Sequence, residues 1–491
     1  MTAVKDIKAE KPEEKISDKV PHSRLTKIIA TLGPVSWDPK TIKELIHAGV
    51  NVFRVNCSHS DINTRAELFQ TIRQCARECN RGVGILIDLQ GPKIRVSKVQ
   101  NDEIELVENE KIIITTEKIL GTPSKIYIAN FENIIKSLFV GHKILLDDGM
   151  IRLEVLKIVD DNNVECKIIY GGKLKNGKGA NFPDSDLCNI SPLTEKDIED
   201  LKHGLEHGIG LFALSFITSA HDIEVIKKYI PKDSKARIIA KIEKPQALND
   251  IDNILKIVDG IMVARGDLGV ELPYEQLPAI QKNLIQKAND NNVLVITATQ
   301  MLESMISSPR PTRAEATDVA NSIFDGTDAI MLSAETASGK YPILAVETMH
   351  KIALAAEAVA PRVRHNVLSI QENIARGACD LAERVGATAI AAFTLSGKTA
   401  IWVSKQRPPV KVIALAQNEA VSSQLNLYWG ITPVLLHDID NTEEMMKLVE
   451  KTLIEQGIVS MGDIIIITAG MPIADRGDTN FVKIHKCAGK Y

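Results

Sequence analysis

A chain of 491 residues, 44% hydrophobic and 25% charged, has the make-up of an ordinary globular protein of about three domains that needs no disulfide staples. Its net charge of −4 argues against a broad nucleic-acid surface, which shows as a basic domain or stripe. The longest apolar stretches, such as residues 463–474, fall far short of the roughly 20 residues that span a bilayer, and the N-terminus has no secretory apolar core. Neither membrane spanning nor secretion is expected, and the predicted compartment is the cytoplasm.

The seven cysteines are Cys57, Cys75, Cys79, Cys166, Cys188, Cys379 and Cys487, an odd count without a CxxC pair, which reads as reduced, structural thiols. Cys75 and Cys79 sit one helical turn apart, but a zinc site would need two more ligands. His203 and His207 repeat that spacing just before Gly208, which suits a helix C-terminus, where a cation is favourable.

Residues 1–22 hold five Lys and five acidic residues with few large apolar side chains, a solvated tail expected to be disordered. From residue 26, short β-branched runs alternate with helical stretches. The runs are Lys27–Gly33, Asn51–Ser58, Gly84–Gln90, Leu211–Ile217, Arg237–Glu243, Gly260–Asp267, Val293–Gln300 and Ala329–Glu335. Their near-continuous apolar character suits a parallel sheet covered by helices. Helices are predicted over Pro39–His47, Ile62–Asn80, Thr194–His207, Ala220–Tyr229, Gln246–Leu255, Tyr274–Asp290, Thr312–Ile323 and Ile343–Ala360. Eight βα units closed in a ring make a (β/α)8 TIM barrel.

One connection is anomalous. Residues 91–190 separate the third strand from its helix and contain short strands broken by Gly and Asp turns, the pattern of a small all-β domain. Inserted in a βα loop, it stands over the barrel's C-terminal face as a lid that excludes water. After about residue 346 a second α/β pattern begins, with strands at Ala387–Thr394, Lys411–Ala416 and Asp463–Ala469. The expected domains are a tail (1–22), a barrel (23–90 and 191–345), a β-barrel lid (91–190) and a C-terminal open α/β domain (346–491).

Side chains at strand C-termini point into a barrel's active site. The second run ends in Arg54, Asn56 and Ser58, which period-two spacing puts on one face. The third ends at Asp88, the fifth in Lys241 and Glu243, the sixth at Asp267, the seventh at Thr299 and the eighth in Ser333 and Glu335. Charges that follow apolar cores in this way need partners, because unpaired burial is costly. Glu243 and Asp267 are hard oxygen ligands on adjacent strands, suited to Mg²⁺ completed by phosphate and water. Arg54 and Lys241 suit a transferring phosphoryl group. The amides around Gly266 suit an anion.

The runs TKIIATLGPVS, NVFRVNCSHS, LIDLQGPKIR, IIAKIEKPQAL, GIMVARGDLGVELP, TATQMLESM and PRPTRAEATDVANSIFDGTDAIMLSAETA resemble those of the pyruvate kinases, and the likeness extends over residues 23–491. The resemblance implies transfer of the phosphoryl group of phosphoenolpyruvate to ADP, giving pyruvate and ATP in the final step of glycolysis. It implies Glu243 and Asp267 as ligands of Mg²⁺, with Mn²⁺ as a substitute. Gly266, Asp267 and Thr299 would meet the substrate carboxylate, and Arg54 and Lys241 the moving phosphoryl. Thr299, Ser333 and Glu335 are all candidates for relaying a proton to the enolate. Asn56, His59, Arg95 and Lys178 would serve the nucleotide, although Ala180 and Phe182 depart from the family's usual run beyond Lys178. A K⁺ site would comprise Asn56, Ser58, Asp88 and Leu89. This chain has Lys93 and Leu89 where K⁺-dependent members have Glu and Thr, so Lys93 is expected to supply the charge and K⁺ to be dispensable. Thr394, Ser396, Gly397, Lys398 and Thr399 match a loop that binds a phosphorylated allosteric effector, and residues 418–430 resemble forms activated by AMP or sugar monophosphates. A homotetramer is expected, with no nucleic acid and no membrane as partner. A carbon–carbon lyase on a similar barrel would lack the lid and the TQMLESM run. A dead paralogue would have lost Arg54, Lys241, Glu243, Asp267 or Thr299, and all are present.

Overall fold

The computed structural model describes residues 24–58, 61–185, 191–361, 369–436, 442–471 and 478–488, with the backbone alone for 442–445. The predicted tail, His59 and Cys188 lie outside the described residues.

Eight parallel strands close into the expected barrel: Lys27–Thr31, Val52–Asn56, Gly84–Asp88, Leu211–Leu214, Arg237–Ile242, Gly260–Ala264, Leu294–Ala298 and Ala329–Leu332. All residues of the third, sixth and seventh are buried, as a sheet covered on both faces requires. Alternate residues face opposite ways. Ile28 and Ala30 join the core under the helices, while Ile29 joins Val52, Leu86, Ile239, Met262 and Met331 in a second core. That second core runs on into Ala392, Leu425 and Tyr428 of the C-terminal domain. The domain therefore closes the floor of the barrel, where Lys27 Nζ donates to Ile431 O (2.6 Å) and Lys405 and Arg407 both pair with Asp328. The opposite, C-terminal mouth is left to the lid.

Each of the eight barrel strands ends earlier than its predicted run, and Ser58, Glu243, Asp267, Thr299 and Glu335 are among the residues that fall beyond the strand ends. Asp267 is the clearest correction: it does not end a strand but lies in the first turn of a helix, Arg265–Glu271. The helix expected over 246–255 is two, Pro245–Asn249 and Ile251–Ile257, broken at Asp250. Asp250 spends its side chain on Ala220 N (2.7 Å) and Asn253 Nδ2 (2.7 Å).

In the lid, the strand order is Ala180–Asn181, Lys143–Leu146, Ile151–Ile158, Asn163–Tyr170, Lys111–Thr115 and Lys125–Tyr127. A separate ribbon pairs Glu103–Leu106 with Gly172–Lys175. The two edges of the six-stranded sheet are joined through residues 94–97, by the bridges Arg95–Gly179 and Val96–Ile128 and by the hydrogen bonds of Ala180 N to Ile94 O (3.0 Å) and Ser97 N to Tyr127 O (3.0 Å). The C-terminal sheet contains two edge strands beyond the predicted set. One, Ile431–Leu435, carries Pro433, which an edge position tolerates. The other, Thr479–Lys486, runs antiparallel and is exposed over half its length. Among the described residues no helix is long and apolar enough to cross a membrane, and six cysteines are free thiols. His203 and His207 close the helix Glu195–Glu206 as expected, with Gly208 at φ 68°.

Candidate active site

The second, third, fourth and fifth strands deliver one buried charge network to the barrel mouth. Arg54 donates from Nε to Asp88 Oδ2 (2.6 Å) and from a terminal nitrogen to Thr31 Oγ1 (3.0 Å). Lys241 Nζ donates to Ser215 Oγ (2.8 Å) and stands 2.8 Å from Glu243 Oε1 and 3.3 Å from Asp88 Oδ1. Ser215 Oγ in turn donates to Leu89 O (2.7 Å), which fixes the hydroxyl as an acceptor toward Lys241. Burial alone would lower the Lys241 pKa, but the carboxylates of Asp88 and Glu243 outweigh it and hold the ammonium above the ordinary lysine value. For Asp88, burial pushes the pKa up and Lys241 and Arg54 pull it further down, so it is firmly ionised. Glu243 goes the other way: burial, with the nearby Asp267 charge adding, outweighs Lys241 and raises its pKa.

Glu243 Oε2 accepts from Phe216 N (2.9 Å), and Phe216 is held at φ 58° to present that amide. Oε1 is buried and ion-paired with Lys241 Nζ at 2.8 Å. Asp267 lies one helical turn above the sixth strand, and its field is felt at Glu243.

The seventh strand ends in strained backbone. Thr299 (φ 66°) and Gln300 (φ 52°) are consecutive left-handed residues, and for a β-branched side chain this costs on the order of 1–3 kcal/mol. Arg265 holds them there: its guanidinium donates to Thr299 O (2.7 Å) and Gln300 O (3.3 Å) while pairing with Asp318 (2.6 Å). Thr299 Oγ1 accepts from Gly266 N (2.7 Å) and donates to Ala298 O (2.6 Å). Glu335 spends both oxygens on backbone amides, Leu302 N (3.1 Å) and Ser333 N (2.7 Å), whereas Ser333 Oγ is buried without a partner.

The lid reaches this mouth through several contacts. Asn181 Nδ2 donates to Glu271 Oε1 (2.8 Å), which also takes Lys244. Lys178 pairs with Asp147 (2.8 Å), and Arg95 donates to Gly177 O (2.8 Å), so these two lie on one edge of the lid. Lys93 lines the cleft between lid and barrel with Phe216, Thr218, Asp222 and Lys244. Asn56 Oδ1 accepts from Ser58 N (3.0 Å).

This architecture and constellation have counterparts. Residues 23–346 match the family described as pyruvate kinase, barrel domain, and residues 372–485 match that described as pyruvate kinase, alpha/beta domain. The pyruvate kinase of Geobacillus stearothermophilus is 43% identical over 473 residues, covering 94% of this chain and 80% of that protein. That of Bacillus licheniformis is 42% identical over the same shares. A crystal structure of a pyruvate kinase from Cryptosporidium parvum superposes with a TM-score of 0.89 at 32% identity, covering 96% of this chain and 98% of the other. The chain belongs to the pyruvate kinase family. It is an enzyme that transfers the phosphoryl group of phosphoenolpyruvate to ADP, giving pyruvate and ATP. Members of the pyruvate kinase family generally use Mg²⁺ and K⁺.

Against this pyruvate kinase architecture, the residues that sequence reasoning missed are the ones that hold others. Ser215 shares a face with Ala213 of the fourth strand, so the period-two argument used for Arg54 would have found it. Arg265, Asp318 and Phe216 carry no local signal, because their roles depend on backbone angles set elsewhere. The candidate effector loop lies at the barrel floor, opposite the mouth. Gly397 (φ 90°) caps the helix Lys398–Lys405, and Thr399 Oγ1 meets Thr479 Oγ1 (2.7 Å). Ser396 O accepts from Arg237 (2.9 Å), the first residue of the strand that leads to Lys241 and Glu243.

Proposed function

We propose that Lys241 and Arg54 neutralise the phosphoryl group as it moves from phosphoenolpyruvate to ADP, with Glu243 and Asp267 holding a divalent cation beside them. The observation that carries this reading is the convergence of Lys241 on Asp88, Ser215 and Glu243 in one buried network. The donors suit Mg²⁺. Glu243 Oε1 is a buried carboxylate oxygen that is ion-paired with Lys241 Nζ. Among the described residues no cluster of three His, Cys, Asp or Glu side chains competes for a metal, which fits an ion that takes two protein carboxylates and fills its shell with substrate oxygens and water. The cation, Mg²⁺ or Mn²⁺, would supply charge where the phosphoryl oxygens become most negative.

Gly266 N and the Thr299 hydroxyl, already bonded to each other, would turn to the substrate carboxylate, with the Asp267 amide beside them. Arg265 keeps the strained Thr299 backbone aimed at it. For the enolate proton, Ser333 has the free hydroxyl and Glu335 has none of its oxygens to spare, so Ser333 or Thr299 relays while Glu335 positions. Lys178 and Arg95 on the lid, with Asn56 at the end of the second strand, would take the nucleotide together with His59. A coupled assay with ADP, phosphoenolpyruvate and Mg²⁺ tests the whole. No pyruvate formed by pure, folded protein would sink it and favour a regulatory paralogue.

The monovalent site is proposed at Asn56, Ser58, Asp88 and Leu89, with Lys93, in the cleft between lid and barrel, supplying the point charge. Activity is expected to stay near its full value when K⁺ is replaced by a bulky tetraalkylammonium ion. Lys93→Glu is expected to create K⁺ dependence, in full when Leu89→Thr accompanies it. A collapse of wild-type activity without K⁺, at saturating substrates and Mg²⁺, would refute the substitution.

A phosphorylated effector is proposed for the loop Thr394–Thr399, in a cytoplasmic homotetramer. Replacing Thr394, Ser396 and Thr399 with Ala should leave basal turnover intact and blunt activation by phosphorylated metabolites. Arg237, which grips Ser396 O, Gln424 Oε1 (3.0 Å) and Asp259 (3.5 Å), offers a physical route from loop to catalytic strand. A triple variant still fully activated by the compound that works on wild type would leave the loop as an ordinary turn.

A further inference from the structure

We propose that Asp197 is a positioning residue that ties the two hinge segments of the lid together, and so sets how the lid presents Lys178 and Arg95 to the nucleotide. The proposal rests on the reading that those two side chains meet the nucleotide.

The helix Glu195–Glu206 begins just after the chain returns from the lid. It opens with a capping box: Thr194 Oγ1 accepts from Asp197 N (3.1 Å), and Asp197 Oδ2 accepts from Thr194 N (2.9 Å) and Thr194 Oγ1 (2.6 Å). A capping box needs only one end of the carboxylate. The other end, Oδ1, accepts the N–H of Gly91 at 3.1 Å, from a residue 106 positions earlier in the chain. Gly91 sits in the opposite hinge segment, between the end of the third strand at Asp88 and the lid's first bridge at Arg95. Asp197 itself is fully buried. One carboxylate thus serves both the exit to the lid and the return from it.

Gly91 also touches the chemistry. Its φ is 68°, and a Cβ there would come within 3.0 Å of Phe216 Cδ2, Ser215 Cβ and Ser215 O. Phe216 N holds Glu243 and Ser215 Oγ holds Lys241. The hinge that Asp197 fixes is therefore packed against the two residues that aim the catalytic cation and the proposed metal ligand. The neighbouring side chain reinforces the hub, because Lys196 Nζ donates to Cys57 O in the loop after the second strand and pairs with Asp200 (3.2 Å). At the far rim the lid is held separately, through Asn181 and Glu271. Removing the shared acceptor would leave the buried Gly91 N–H without a partner, a loss the hinge can relieve only by moving.

Two variants separate clamp from cap. Asp197→Ala and Thr194→Ala both break the capping box, but only the first releases Gly91. Asp197→Ala is expected to raise KM for ADP about tenfold while KM for phosphoenolpyruvate stays within about twofold, and to speed deuterium uptake in peptides covering residues 89–95. Thr194→Ala is expected to leave both KM values and that uptake near wild type. Should Asp197→Ala fail to fold, Asp197→Asn, which keeps one acceptor for two N–H donors, should give the same pattern with about a threefold shift. Equal changes in the two KM values, or a Thr194→Ala profile that copies Asp197→Ala, would overturn the clamp. Lys178→Ala is the separate check on the nucleotide reading. If it leaves KM for ADP unchanged, that reading fails, and deuterium uptake at residues 89–95 alone decides whether Asp197 holds the hinge.

Discussion

A Lys241→Met protein is expected to fold, melt near the wild-type temperature and turn over at least about a hundredfold more slowly, because a preorganised donor at developing charge is worth about 3 kcal/mol or more. Methionine occupies similar volume but cannot follow the phosphoryl charge. Losing one member of a buried ion pair usually destabilises strongly, since the partner is left charged and alone. Here both partners have an escape. Asp88 keeps the guanidinium of Arg54 at 2.6 Å. Glu243, which burial and Asp267 already push toward the neutral acid, can take up a proton. The loss should therefore appear in kcat and not in the melt. A purified Met variant that retains more than a tenth of wild-type turnover would remove Lys241 from the reaction. A variant that unfolds would show instead that Glu243 cannot neutralise, and Lys241→Arg would then be the informative comparison.

The same network explains what could be read from the residues alone. Arg54, Lys241 and Glu243 were legible because a seven-residue apolar run leaves a charge at its end no place but the barrel mouth, and period two then sorts the faces. The lid was legible from the switch to short strands between Gly and Asp turns. Other features depend on angles or partners far away in sequence. Thr299 was singled out from the end of its run, but its left-handed φ goes with Arg265, more than thirty residues earlier, holding its carbonyl. Asp267 was assigned to a strand end, although Gly266 was read as able to open a short helix there, and the helix in fact begins at Arg265. Thr479–Lys486 escaped because an edge strand with exposed charges lacks the apolar run that betrayed the central ones. Asp197 reads as half of a capping box from its spacing to Thr194. That its second oxygen reaches Gly91 is invisible without the fold, since the two segments are separated by the entire lid.

Glu243→Gln should raise the Mg²⁺ concentration needed for half-maximal activity by at least about tenfold, because the amide offers the cation an oxygen without a charge. The geometry makes the substitution more than a charge removal. A carboxylate serves Phe216 N with one oxygen at 2.9 Å and faces Lys241 with the other at 2.8 Å. Glutamine has one acceptor for these two positions. If its oxygen stays on Phe216 N, its NH₂ group meets the ammonium of Lys241, donor against donor, and Lys241 must lean toward Asp88 at the cost of its aim. Saturating Mg²⁺ should therefore restore only part of the turnover, whereas a residue that merely binds metal would be rescued in full. Glu243→Asp keeps the charge and withdraws it by one methylene, so it should shift the Mg²⁺ midpoint less and leave Lys241 with a carboxylate neighbour. Titrating Mg²⁺ against turnover for both variants separates the two effects. An unchanged midpoint in Glu243→Gln would take Glu243 out of the metal site and leave it as the ion-pair partner of Lys241.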